Sequence, residues 1–383
     1  MILKNTTFLR WILICLLLFS VNSIYARVEI SLGATSSYNY DSNVFRSSTN
    51  VKSDQYYLIQ PSVGVLLSIY NLSVSAGYAG RISRHIDFPQ NNSADLTGFS
   101  AVNLNVSGRY IDIRGNYNKT KLERDSLETS VTELDPQETV ERVGFLVKTV
   151  FPLSNERYNL HLQLGINGNK YSGLDAEKKN NIAGDTATEL RYRYSGKTSL
   201  VYGYKANLKD VQSELYRNLD AVTQSLYLGA RWLTTGKTSS HALIGYEILQ
   251  LSGSGTSPYG GLNIDVSVVW KRKSYSKVTL NVTRSSTDSL YYGTGFLINN
   301  KLSLGFSHSL TNRWSVGADS DFLAYQAYAE YRDLGASMSF QTTYAIKRIS
   351  LGVRSGYQLR HSLIRGGSGY SGYTASVDLS IRY

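Results

Sequence analysis

The chain has 383 residues, 40 Lys and Arg against 29 Asp and Glu, a formal charge of +11 and one cysteine. Thirty tyrosines and 32 glycines against five prolines describe sheet with aromatic edges. A lone cysteine excludes a disulfide framework and a cysteine-held metal, and the basic surplus signals nucleic acid or acidic lipid only if it gathers on one surface.

Lys4 and Arg10 precede an apolar run from Trp11 to Phe19, followed by Ser20, Asn22, Ser23 and Ala26. This is the pattern of a secretory signal peptide over 1–26, leaving 27–383 as the mature barrel domain. Cys15 lies inside the apolar run and leaves with it. The run is too short for a transmembrane helix, and no later stretch approaches one.

From Val28 onward apolar residues recur at every second position, the period of a strand with one face in an apolar medium and one in water. Val28, Ile30, Leu32 and Ala34 open the series. Leu72, Val74, Ala76 and Tyr78 continue it, as do Val102, Leu104 and Val106. Tyr158, Leu160, Leu162, Leu164 and Ile166 form a clear stripe; Leu262, Ile264, Val266, Val268 and Trp270 form another. Tight turns are expected near Ile69-Tyr70-Asn71, Gly108-Arg109, Pro152 to Asn155, Ser195-Gly196, Thr235-Gly236, Arg272-Lys273, Thr311-Asn312 and Ile346-Lys347. Longer loops are expected over 41–54, 85–96, 122–138, 171–183 and 210–219. The pairing yields an all-β transmembrane antiparallel barrel of about 18 strands (about 16–18), with short turns and both termini on the periplasmic side. Phe151, Tyr158, Tyr194, Trp232, Trp270, Trp314, Tyr344 and Tyr383 stand at the turn ends of outward faces, where an interfacial aromatic girdle belongs.

The last strand carries Tyr373, Ala375, Val377, Leu379, Ile381 and Tyr383 on one face and Thr374, Ser376, Asp378, Ser380 and Arg382 on the other. An apolar strand ending on an aromatic, behind a secretory signal, marks a barrel of the outer membrane of a Gram-negative bacterium. Leu379, Ile381 and Tyr383 are read as the assembly signal for the barrel-assembly machinery. The surrounding partners are outer-membrane lipid and lipopolysaccharide.

The complementary parity should line the lumen. Arg81, Arg109, Arg114, Arg142, Lys148, Arg191, Arg193, Lys205, Arg231, Lys271, Lys277, Lys301, Arg348, Arg354 and Arg360 are the basic residues expected there. With strands about 4.8 Å apart and tilted about 40°, the barrel is on the order of 35 Å across, too wide for side chains to fill. The first strand starts beside the cleavage site, so no plug domain is expected. The expectation is a hydrated pore with a positive wall favouring anions.

Other patterns carry less. Gly196-Lys197-Thr198 and Gly236-Lys237-Thr238 lack the earlier glycine of a phosphate-binding loop, with Arg191 and Arg231 in its place. His85, His161, His241, His308 and His361 show no metal-ligand spacing, and no metal or cofactor is expected. Asp319 and Asp321 on one inward face are read as lumen charges in preference to an acid–base pair. No enzyme and no nucleic-acid binding is expected. The acidic stretch from Glu123 to Glu141 reads as a solvated external loop.

After the first strand comes Tyr40-Asp41-Ser42-Asn43-Val44-Phe45-Arg46, then Ser53-Asp54 and a strand with Ile59, Pro61, Val63 and Val65. This opening resembles that of the β-barrel porin 2 family, which includes barrels encoded with exopolysaccharide biosynthesis genes. The resemblance places Asp41 and Asn43 at the mouth of the first external loop, where they brace that loop or touch passing sugar. It implies an exit pore for a secreted exopolysaccharide, working with separate inner-membrane and periplasmic synthesis and export proteins. The alternatives are a general or anion-selective diffusion porin and a structural or adhesive surface barrel.

Overall fold

A computed structural model describes residues 26–106, 109–121, 139–153, 157–172, 180–212, 220–235, 237–252, 257–273, 275–289, 295–327, 331–362 and 369–383. The expected signal peptide and most of the acidic 123–141 stretch lie outside these residues.

The strands are β1 (Ala26–Asp41), β2 (Asp54–Ile69), β3 (Leu72–His85), β4 (Ser93–Val106), β5 (Arg109–Lys121) and β6 (Thr139–Pro152). They continue as β7 (Tyr158–Ser172), β8 (Asn181–Arg193), β9 (Thr198–Val211), β10 (Ala221–Thr235), β11 (Thr238–Leu251) and β12 (Tyr259–Lys273). The last are β13 (Ser276–Ser289), β14 (Gly295–Ser309), β15 (Trp314–Ala327), β16 (Tyr331–Ile346), β17 (Ile349–Ser362) and β18 (Gly369–Arg382). Each pairs antiparallel with its chain neighbours, and β1 also pairs with β18, closing one 18-stranded barrel. Closure leaves no strand edge, as a chain whose outer face meets hydrocarbon requires. The short turns all gather at one end with the start of β1 and the end of β18; the longer connections gather at the other.

The hydrophobic pattern is inverted relative to a soluble protein. Val28, Ile30, Leu164, Leu228, Leu379 and Ile381 are exposed on the outer surface. Aromatic pairs occur near both rims: Tyr158–Tyr192 (centroids 5.0 Å) and Trp314–Tyr344 (5.8 Å) at the turn end, Tyr38–Tyr57 (5.2 Å) and Tyr357–Tyr373 (4.7 Å) toward the loop end. These rings have an apolar body and a polar tip, which suits the boundary between hydrocarbon and headgroups. The hairpin turns are tight enough that Tyr70 and Lys347 adopt positive φ, 47° and 51°.

Two expected lumen residues stand elsewhere. Arg109 pairs with Val106, a residue of the outer face, so it starts β5 on the outward parity. The two-residue turn between them switches the inward parity from odd in β4 to even in β5, where Tyr110, Asp112 and Arg114 point inward. Arg348 lies in the turn before β17, with its guanidinium carbon 3.6 Å from the centre of the Tyr383 ring. It is a rim residue, held by the face of the terminal aromatic.

Candidate functional site

The inner wall divides into two regions. From β5 to β12 it is charged and cross-braced, with Glu189 at its hub. Arg191 donates to Glu189 from Nε at 2.8 Å and from Nη2 at 2.5 Å, and Arg231 Nη2 approaches at 3.3 Å. Tyr227 donates its hydroxyl to Glu189 Oε1 at 2.9 Å, and Lys205 Nζ sits 4.9 Å from the centre of the Tyr227 ring. The ring lies flat across Gly203, where an added Cβ would come within 2.3 Å of it. The glycine is therefore what lets an aromatic ring lie along the wall. His161, Lys148 and Gln163 line the same recess.

Charge pairing recurs around the barrel. Arg114 meets Asp112 at 2.7 Å, Arg81 meets Asp95 at 3.8 Å, Lys301 meets Asp321 at 3.4 Å, and Arg360 meets the fully buried Asp333 at 2.5 Å. His241 lies 2.9 Å from Asp265. Asp185 is held by two asparagines, Asn167 at 2.9 Å and Asn207 at 2.5 Å. Asp321 also accepts from Ser303 and is tied into wall contacts, with Asp319 on the same inward parity. Arg142, Arg193, Lys271 and Lys277 keep inward parity, with Lys271 directly across from Lys277 near the turn end. Sequence parity shows which residues face inward; it does not show which carboxylate each cation meets. Among the described residues no group of three metal-ligating side chains occurs.

The opposite region, from β16 through β18 to β2, is lined mainly by hydroxyls and amides. Thr35, Ser37, Gln60, Gln341, Thr343, Ser350, Thr374, Ser376 and Ser380 share one recess with Arg81, Arg354, Asp378 and Arg382. Thr35 and Ser380 hydroxyls lie 2.8 Å apart, and Arg354 donates to Gln341 at 2.9 Å. Serine and threonine supply donor and acceptor together, so this wall bonds water or sugar hydroxyls without a fixed charge pattern.

At the loop end two features stand out. The first loop is braced by its own polar side chains. Asn43 N donates to Asp41 Oδ1 at 2.9 Å, an Asx turn. Arg46 Nη1 contacts both Asp41 oxygens at 2.8 Å. The buried Asn43 side chain donates to Ser47 O at 2.8 Å and to Ser371 O at 3.0 Å, tying the loop to β18. Phe45 packs edge-on against Phe88, centroids 4.8 Å apart, joining this loop to the β3–β4 connection.

The second feature narrows the tube and is made by strands. β11 and β12 stay paired up to Leu249↔Tyr259, whereas β12 and β13 pair only up to Ile264↔Arg284. Above that rung the β13–β14 end slides inside the wall. Ser286 N donates to Glu247 Oε1 at 2.6 Å, and the Ser286 hydroxyl reaches the same oxygen, although β11 is two strands away. Asn263 holds the other oxygen at 3.1 Å. Phe296 and Ile298, on the face of β14 that meets lipid lower down, are buried against Ala221 and Leu249 from inner faces. The Phe296 ring centre is 4.6 Å from that of Tyr259. Sequence reasoning missed this because Ser285, Ser286, Thr287 and Asp288 carry no alternation. The available signal was the break in the outward stripe after Val282, where Arg284 follows.

No family model and no curated protein matches the chain. Among solved structures it is similar to Pseudomonas aeruginosa OccK2 (OpdF), with TM-score 0.52 and 11% identity over 93% of this chain and 97% of that one. It is similar to Pseudomonas aeruginosa OpdO at TM-score 0.50 and 12% identity, with the same coverages of 93% and 97%. A bacterial polysaccharide outer membrane secretin matches at TM-score 0.41 and 10% identity over 91% of this chain and 98% of that one, too low to carry an argument. The first two likenesses show the fold alone, a closed antiparallel β-barrel.

Proposed function

We propose that this chain is an outer-membrane pore through which a secreted exopolysaccharide leaves the cell, its turn end and both termini facing the periplasm. The observation that carries the reading is the hydroxyl- and amide-lined wall running from β16 to β2 inside a lumen too wide for side chains to fill. Such a wall exchanges hydrogen bonds with a sugar chain at little net cost, so the polymer slides without sticking. The resemblance of the Tyr40–Arg46 segment to β-barrel porin 2 proteins supports the same reading. Arg354, Arg382, Lys271 and Lys277 near the turn end suit an anionic polymer arriving from the periplasm, handed over by separate synthesis and export proteins. Folding into the membrane passes through the barrel-assembly machinery, engaged by Leu379, Ile381 and Tyr383. Assigning an enzymatic role would require a reactive group aimed at the lumen; Glu189, Asp185, Asp321 and Asp333 are each held by neighbouring side chains.

A second reading, a diffusion porin for small solutes, is favoured by one observation: the β13–β14 end occupies the lumen near Glu247 and narrows it. Deleting and restoring the gene while measuring polysaccharide outside the cell and in the periplasm separates the two. Polymer lost outside, retained in the periplasm and restored by the intact gene is expected. Unchanged secretion together with altered uptake of small solutes would establish the second reading.

A further inference from the structure

Just below the point where β13 parts from β12, the outer face carries a polar pair in an apolar field. Arg284 is on the outward parity of β13, across from Ile264 on one side and Asn300 on the other. Its Nη1 donates to Asn300 Oδ1 at 2.8 Å, and Asn300 in turn donates to Ala324 O at 3.2 Å. The Arg284 Nε is buried without a hydrogen-bond partner, and among the described residues no carboxylate pairs with the guanidinium. Around it runs a groove of about 700 Å³ formed by Leu262, Val282, Leu302, Phe322, Leu334 and Leu359. Leu262, Phe322 and Leu334 each leave nearly half of their surface open on this lipid-facing side.

A cation on a barrel's lipid face destabilises it unless it reaches the interface or finds an anion. Arg284 is the last outward residue of β13 before the β13–β14 end turns inside. The groove beside it offers length and apolarity, and the guanidinium supplies planar donors for phosphate oxygens.

We infer that this groove holds an amphiphile of the outer leaflet, a phosphorylated glycolipid, with an acyl chain along Leu302 and Phe322 and its phosphate on Arg284. The inference rests on the outer-membrane placement and not on what the pore exports. Charge complementarity decides among occupants: a second copy of the chain would meet Arg284 with an apolar outer face and leave it unpaired.

The test uses the full barrel purified in detergent, incubated with a bisphosphorylated acyl-glucosamine disaccharide or its dephosphorylated counterpart, with bound lipid counted by native mass spectrometry. The intact protein should retain the phosphorylated lipid about tenfold more tightly than the dephosphorylated one, the scale of one charge-assisted contact. Arg284→Gln should abolish that preference while keeping the heat-resistant compact form of a folded barrel, and Arg284→Lys should keep part of it. Retention of both lipids equally by the intact protein, or an undiminished preference in Arg284→Gln, would overturn the inference. Neither result depends on polysaccharide secretion, so failure here and failure of the export reading are distinguishable.

Discussion

The partners of single side chains set both the stability and the charge of the lumen. Glu189 holds two guanidiniums and a tyrosine hydroxyl, so Glu189→Ala leaves Arg191 and Arg231 uncompensated on the wall. The expected outcome is a reversal potential moved toward chloride in planar bilayers, larger at about 0.01 M salt, where the screening length is about 30 Å, than at about 0.1 M, where it is about 10 Å. Loss of the buried contacts should also lower unfolding stability by about 1–3 kcal/mol, read from urea titration of the folded barrel. Asn43 tests a different contact. Its side chain joins Ser47 to Ser371 and is fully buried. Asn43→Ala removes these bonds, worth about 1 kcal/mol each. The first loop should then be cut by trypsin at Arg46 under conditions that leave the parent intact. Equal resistance would show that the Arg46–Asp41 pair and Phe45–Phe88 packing suffice to hold it.

At the level of the strands, the sequence was legible wherever lipid and water met opposite faces of the same segment. The alternation of Tyr158 through Ile166 and of Tyr373 through Tyr383 names the outer face directly, because a one-residue slip would put every apolar side chain into water. The strand number follows from pairing such segments. The β13–β14 end was not legible, since its polar residues fit either face and its burial depends on strands β10 to β12, distant in sequence. Arg109 failed for a local reason: parity was carried across a turn whose length reverses it. The tucked end makes its own prediction. Glu247 anchors it through Ser286, and Glu247→Ala removes a charged acceptor worth about 2 kcal/mol to that contact. Single-channel conductance should rise as the end swings back toward the wall. An unchanged conductance in a correctly folded variant would show that Phe296 and Ile298 hold the end without help from Glu247.

Across the whole barrel, the two ends differ in a way that follows from closure. Every strand has its neighbours, so the tube is stiff, and only strand ends and connections can change its bore. At the turn end the connections are short and lie on the rim, whereas the loop end carries the braced first loop on one side and the tucked β13–β14 end on the other. Among the described residues the narrowing therefore lies off-centre, toward the loop end. A neutral polymer too large to pass this section should still enter from the turn end and lower the conductance by displacing electrolyte from most of the lumen. The same polymer added at the loop end should leave the conductance close to its starting value. Graded poly(ethylene glycol) added to one side of a bilayer with barrels in one orientation reads this directly. Equal exclusion from both sides would place the constriction at mid-height and shift attention to the Glu189 cluster. The expected asymmetry is compatible with the proposed export: a chain would gather in the hydroxyl-lined section and meet the tucked β13–β14 end last.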